Sequence, residues 1–250
     1  VSATTIRPGA DHRVLAAAFA EVLAYPVSEP GGGGGGGRAG GAGGGGPAPR
    51  PPPGRTCAEA AVAADPEAAE ILRGFAATCD ATPLGELQET YTRAFDLDTM
   101  SRAEPTCYPY VGHYLFDENH KRGAFILGLR RRYIDSGFSD DSDLPDHLLV
   151  MLRFLAVCPD EVLAEEIIVE AILPALAQIG LLAGGDAAAG TAIREDGDLR
   201  RAYLDLLRAL ELSLLAGREG LVPVPDELQA ERMWAREGDS LGISRDGCGH

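Results

Sequence analysis

The chain has 250 residues, 45% of them hydrophobic, and a formal net charge of -16 from 38 acidic against 22 basic side chains. Of its 32 glycines and 17 prolines, 14 and 5 are concentrated in residues 31–54, so roughly 200 residues remain to build a core, the size of one compact domain. The acidic balance argues against a nucleic-acid binder, which needs a local basic surplus to displace counterions; it suits simple solubility or a partner of positive charge.

Arg13 to Tyr25 forms the first predicted helix, with Val14, Ala17, Ala18, Glu21 and Val22 on successive turns and Tyr25-Pro26 as its stop. Val14 to Tyr25 is apolar enough to suggest a signal peptide, but Glu21 interrupts it and the helical spacing marks a core helix. Gly31 to Gly54 is almost entirely Gly, Pro, Ala and Arg, which cannot bury enough apolar area to offset chain entropy, so a disordered insert is expected over 31–55. It is no phosphate loop, since no strand precedes it and no Gly-Lys-Ser or Gly-Lys-Thr follows. Helical spacing resumes at Pro66 to Cys79, with Ile71, Leu72, Phe75 and Ala76 inward, and at Leu84 to Phe95, with Leu87, Tyr91 and Phe95 on one face. An aromatic-rich segment, Cys107 to Phe116, leads to a helix over Glu118 to Ser136. That helix sets Arg122, Ile126, Leu129 and Tyr133 in one stripe before a Gly137 cap. Lys121, Arg131 and Arg132 are expected in solvent on its opposite face.

Residues 143–161, DLPDHLLVMLRFLAVCPDE, read as a helix start: Asp143 and Asp146 resemble a capping box, with Pro145 in the first turn. Leu148, Met151, Leu152 and Leu155 form its buried stripe. Glu161 to Leu182 follows, bent at Pro174, and then Asp198 to Leu215, with Leu199, Tyr203, Leu206, Leu207 and Leu210 at the helical period. Nothing alternates like a strand. The longest uncharged run, Ala171 to Gly185, falls short of the roughly 20 residues that span a bilayer, and no membrane insertion is expected. From Val222 onward only Asp226 to Arg236, with Trp234, could be helical, and the tail 222–250 is expected to be partly mobile. The expected architecture is all-α, a single helical domain over residues 10–220.

Cys57, Cys79, Cys107, Cys158 and Cys248 are scattered and include no CxxC pair, which suggests neither a disulfide framework nor a zinc site and fits a reducing compartment. His113 and His120 flank Asp117 and Glu118, the sharpest metal candidate. Ligands on a helix share a face at i+3 or i+4, and a spacing of seven works only if the helix runs unbroken through a turn signal. Cys248 and His250 offer only a two-ligand tail. No Gly-x-Ser-x-Gly elbow or recognisable cysteine nucleophile is present. Asp146 and His147, adjacent on a helix, point about 100° apart and cannot act as an acid-base pair on one atom. Asp146 at a helix start is explained by the macrodipole, a contribution of about 0.3 to 1 kcal/mol; His147 is not.

The motifs Leu23-Ala-Tyr25-Pro26, Leu84-Gly-Glu-Leu-Gln-Glu-Thr-Tyr91-Thr-Arg-Ala-Phe95-Asp96-Leu97, Tyr110 to Phe116, His120-Lys121-Arg122-Gly123 and Leu144-Pro145-Asp146-His147-Leu148, followed by Leu152-Arg153-Phe154, resemble a known family. It is that of the delta-subunit assembly chaperones of respiratory nitrate reductase, the NarJ branch of the TorD/DmsD chaperones. The resemblance covers residues 10 to about 182 apart from the insert. It implies an all-helical cytoplasmic protein that is no enzyme and carries no cofactor. Such a chaperone holds a molybdoenzyme catalytic subunit until its molybdopterin guanine dinucleotide and iron-sulfur cluster are inserted, and it restrains premature membrane attachment or export. The client is bound through an N-terminal leader or leader-like peptide, often as an amphipathic helix. Tyr91, Phe95 and Asp96 from one motif, and Asp146 and His147 from the other, are carried over as client-peptide residues, with Arg130, Arg131 and Tyr133 as further candidates. Against this stands the simpler reading of Tyr91 and Phe95 as core.

Two departures from the family pattern are the insert and Arg153, which stands where an acidic residue is common. Nitrate reductase is the leading client. Selenate, chlorate or hydrocarbon oxidoreductases are the alternatives within the resemblance. A helical metal-binding protein or enzyme using His113 to His120, or an acidic subunit retained in the mature complex, are the alternatives outside it. A homodimer stays open, since a long hinge after the first helix permits swapping.

Overall fold

Asp11 begins the first helix, α1 (His12–Val22), by accepting a hydrogen bond from the Arg13 N–H at 3.0 Å. In this computed structural model residues 11–27, 59, 61, 64–95, 107–116, 119–187 and 196–218 are described. The Gly/Pro-rich insert, Asp96, Asp117, Glu118 and the tail from Val222, with Trp234 and Cys248, lie outside them. The buried face of α1 is Leu15, Ala16, Ala18, Phe19, Ala20 and Val22, while Val14, Ala17 and Glu21 are exposed. The expected face is thus displaced, because Leu15 and Phe19, one turn apart, outweigh alanines that fit either side.

Asp65 caps α2 (Pro66–Ala81) by accepting from the Ala68 N–H, and Pro66 takes the first turn, where its missing N–H costs nothing. Leu72, Phe75 and Ala76 are buried as expected, with Ile71 partly so. Next come α3 (Leu84–Phe95), the short α4 (Val111–Leu115) and α5 (Asn119–Asp135). Gly137 closes α5 with φ +71°. Its N–H bonds Ile134 O, the Phe138 N–H reaches back to Tyr133 O, and the two rings stack edge to face at 5.2 Å, a Schellman motif with its apolar contact. Arg132, expected in solvent, is instead only 14% exposed, with Nη1 3.4 Å from Glu166; α5 turns far enough to bring it to a neighbouring helix.

The helix α6 (Leu148–Val157) starts later than its sequence suggested. Its cap is His147, whose Nδ1 accepts from the Leu149 N–H at 3.1 Å, and Pro145 lies in the turn before it rather than in its first turn. The expected capping box does not form, because residues 144–148 are committed elsewhere. Val111 N–H donates to Asp146 O at 2.8 Å and Leu148 N–H to Pro109 O at 2.7 Å, an isolated antiparallel bridge between Tyr110 and His147. That pairing holds His147 extended, and the helix begins at the next residue, Leu148.

Helix α7 (Glu161–Ile167), capped by Asp160, runs into a π-helical turn, Ile168–Ile172, and then α8 (Leu173–Ala187). The bend expected at Pro174 takes this form. Pro174 has no N–H for the carbonyl four residues back, and widening the preceding turn removes the clash. The last helix is α9 (Asp196–Leu215).

Helix α6 is central, with Met151, Leu152, Phe154 and Leu155 fully buried. It packs against α1, while α9 packs on α2, α3 and α8, and α4 on α5 and α8. Among the described residues there is no strand, and no helix is long and apolar enough to cross a membrane. Phe154 stacks between Tyr133 and Phe138 at 4.5 and 5.5 Å. Phe154→Ala is expected to cost about 3–5 kcal/mol in urea denaturation, whereas Val157→Ala at the exposed end of the same helix should stay within about 0.5 kcal/mol.

Candidate functional site

Between α3, α4, α6, α8 and α9 lies a cleft with an empty volume of about 460 Å³, solvent at its mouth included. Tyr91 and Phe95 enter from α3, Tyr114 from α4, His147 and Leu149 from the start of α6, and Ile172, Leu176 and Leu207 close the floor and far wall. Its few polar atoms are engaged with the backbone. Tyr91 OH donates to Leu23 O at 3.0 Å, Tyr114 OH accepts from the Tyr108 N–H at 2.8 Å, and His147 Nδ1 is held by Leu149. Burial pushes the Tyr91 hydroxyl up to about 12 and that of Tyr114 higher still. These hydroxyls stay protonated, and the cleft offers a ligand mainly apolar wall. Behind it Tyr91, Phe95, Tyr203 and Phe75 form an aromatic cluster at 4.9 to 5.7 Å, with Tyr25 edge-on to Tyr91.

The rim is built on a buried ion pair. Asp146 has no exposure, and its carboxylate accepts from Arg122 Nε at 2.8 Å and Nη2 at 3.4 Å. Gly112 makes room for it: a Cβ there would meet Asp146 Oδ2 at 2.8 Å and Arg122 Cγ at 3.0 Å. The Arg122 guanidinium lies 5.0 Å over the Tyr110 ring. Tyr110 in turn stands edge-on to His147 at 5.3 Å and donates its hydroxyl to Asp143 at 3.0 Å. Burial, then the Asp143 hydrogen bond, pushes Tyr110 up to about 12. Burial lowers the pKa of His147, against the opposing pull of Asp143 and Asp146, so the ring is neutral near pH 7 and Nδ1 is free to cap α6.

Of the residues expected at the site, Tyr91, Phe95 and His147 meet at the cleft. Asp146 lies behind the rim, turned toward Arg122. Tyr133 is buried, its hydroxyl donating to Pro145 O at 2.8 Å, and Arg130 and Arg131 are exposed on α5 and do not line the cleft. Asp96 is outside the described residues. Arg153, the departure from the family pattern, pairs with Asp140 at 2.9 Å rather than entering the cleft. Reasoning from sequence missed Gly112 and the partnership of Arg122 with Asp146, 24 residues apart, which no local pattern encodes. Tyr114 lay within a quoted motif without a role. Among the described residues no group of three or more His, Cys, Asp or Glu is placed to hold a metal ion. His113 instead packs on Tyr108 and Tyr114 at 4.3 and 5.2 Å.

The fold and cleft define an all-α helical protein with an apolar groove between its helices. Residues 61–179 match the family described as the nitrate reductase delta subunit. The family is one of NarJ-type molybdoenzyme assembly chaperones rather than enzymes, and it works with nitrate reductase subunits. No curated protein matches the chain.

Arg122→Ala leaves a fully buried carboxylate without its partner and should cost about 3–5 kcal/mol. Asp146→Ala should cost less, since Arg122 is 25% exposed and can turn to water, and the double variant should recover part of the loss in a denaturation cycle. The lowered pKa of His147 means that the unfolded chain binds the proton more tightly. Its contribution to stability is present above the unfolded value near 6.5 and is lost as pH falls below it. His147→Asn, which keeps a capping acceptor, should flatten the fall in unfolding free energy between about pH 6.5 and 5, leaving the smaller slope due to His113, which burial also lowers.

Proposed function

We propose that this protein is a cytoplasmic assembly chaperone for the catalytic subunit of a respiratory molybdoenzyme, with nitrate reductase as the client the family description favours. It holds the client's N-terminal peptide in the apolar cleft while the molybdenum cofactor and iron-sulfur cluster are inserted, before membrane attachment or export. The observation that carries the reading is the cleft itself, where Tyr91, Phe95 and His147 from the two family motifs converge. Groove binding of an amphipathic helix needs a concave apolar surface with a polar edge to fix direction; the apolar lining of the cleft and the rim of Tyr110, Asp143 and His147 support that reading. Asp146 acts by holding that rim through Arg122. The helices between residues 10 and 220 form the chaperone domain.

Calorimetric titration with a synthetic peptide of about 30 residues from the client N-terminus, enough for several helical turns, tests the reading. Binding in the micromolar range or tighter is expected, weakened about ten-fold or more, or about 1.4 kcal/mol, by Leu149→Asn at the cleft wall and unaffected by Arg130→Glu. If His147→Ala and Asp146→Ala lower the melting temperature but leave peptide affinity unchanged, both residues are structural only. A folded protein with no affinity for the peptide would sink the cleft as the client site.

A further inference from the structure

The floor of the cleft owes its composition to the π-turn before α8. Ala164 and Ile167 form the buried face of α7, and at 3.6 residues per turn an unbroken helix would carry that face on to Ala171, Pro174 and Gln178. A turn closed by i→i+5 bonds holds one residue more than an α-turn. Past Ile168–Ile172 the same face therefore presents Ile172, Ala175, Leu176 and Ile179, all four of which line the cleft, while Gln178 is left partly exposed.

Residues at i, i+3, i+4 and i+7 are the corners of the hole into which a facing helix sets one side chain in knobs-into-holes packing. Ala175 and Leu176 flank the centre of this hole, and among the residues lining the cleft Ala175 alone has a side chain that ends at Cβ. The cleft's empty volume of about 460 Å³, mouth included, is about that of a single helical turn 10 Å across, and none of the four floor residues is more than 7% exposed. What reaches the floor is thus a side chain inserted from the mouth, not a helix laid along α8. The floor's own side chains are all aliphatic, so a hydroxyl or amide carried to that depth would give up water without gaining a hydrogen bond from them.

We propose that Ala175 is a specificity-determining residue of the cleft: it sets the size of one anchor side chain, aliphatic or phenyl, that the client peptide inserts into the hole formed with Ile172, Leu176 and Ile179. This rests on the cleft being the peptide site, as proposed above, and adds which kind of side chain is read and where. Selection of this kind is steep, since one methylene more or less in an apolar pocket is worth roughly 10- to 200-fold. Pro174 and the π-turn act on it indirectly, by setting Ile172 and Ile179 on the floor and keeping Gln178 off it. The simpler reading is that residue 175 is small only to let α4 or α9 approach α8, both of which pack on it. The two readings part on one point: only a size-reading role couples residue 175 to the size of a peptide side chain.

The test is calorimetric titration of the intact chain with the client's N-terminal peptide and with a series of that peptide carrying alanine at each apolar position in turn. One position is expected to dominate, its alanine form binding about ten-fold or more weakly. Ala175→Leu, which fills the hole, should reverse the order, binding the parent peptide about ten-fold or more weakly than the wild-type protein does and preferring the peptide whose anchor is alanine. Ala175→Gly should shift the preference the other way, toward a larger anchor, and supplies the reading if circular dichroism shows that Ala175→Leu does not fold. The proposal is overturned if no single position dominates, or if a folded Ala175→Leu binds the parent peptide as the wild-type protein does. It is likewise overturned if the variants change affinity for every peptide of the series by the same factor, as loosened packing of α8 on α4 or α9 would. Binding without size coupling removes the anchor alone, whereas a folded wild-type protein that binds no peptide of the series removes the cleft as the client site and the anchor with it.

Discussion

A carboxylate with no solvent contact must be paired or give up its charge, and Asp146 is paired, by Arg122, at a place where most of the site converges. Bringing the two together requires glycine at position 112, since a side chain there would occupy the carboxylate's space. It also accompanies the backbone bonds that tie residues 109–111 to 146–148. Those bonds keep His147 extended and decide where α6 begins. They also put Tyr110 between Arg122 and His147, where it forms one side of the cleft's rim. A buried pair of this kind adds little net stability over apolar packing. Its consequence here is register, because a shift of either segment by one residue would strand the charge.

The cleft follows a different rule. It is lined by aromatic and aliphatic side chains whose polar tips are turned into nearby backbone, as with Tyr91 on Leu23 and Tyr114 on Tyr108. Such a wall gives affinity through area and shape, and leaves direction to a rim of Asp143, Tyr110 and His147.

Particular elements show how far sequence carried. The α3 boundaries and, to within one residue, those of α5 were legible, because helical spacing and Gly137 are local signals that tertiary contacts did not oppose. The α1 face was misread because alanines contribute too little burial to identify it. The capping box before α6 was locally sound, and it lost to a pairing with residues 109–111 that a local rule cannot see. Pro174 announced a disturbance without specifying that a π-turn would absorb it. For the site, the two motifs nominated Tyr91, Phe95 and His147, which meet, but gave no means of separating Arg130 and Arg131, which lie on another face.

By itself the sequence determined the all-α class, most helix positions and the family resemblance, because periodicity, prolines, glycines and short motifs are properties of neighbouring residues. The tertiary structure decided which residues those helices bring together: the partnership of Arg122 with Asp146, the true start of α6 and the apolar cleft. These depend on the packing of segments far apart in the chain, where burial of charge and closeness of approach outweigh local preference.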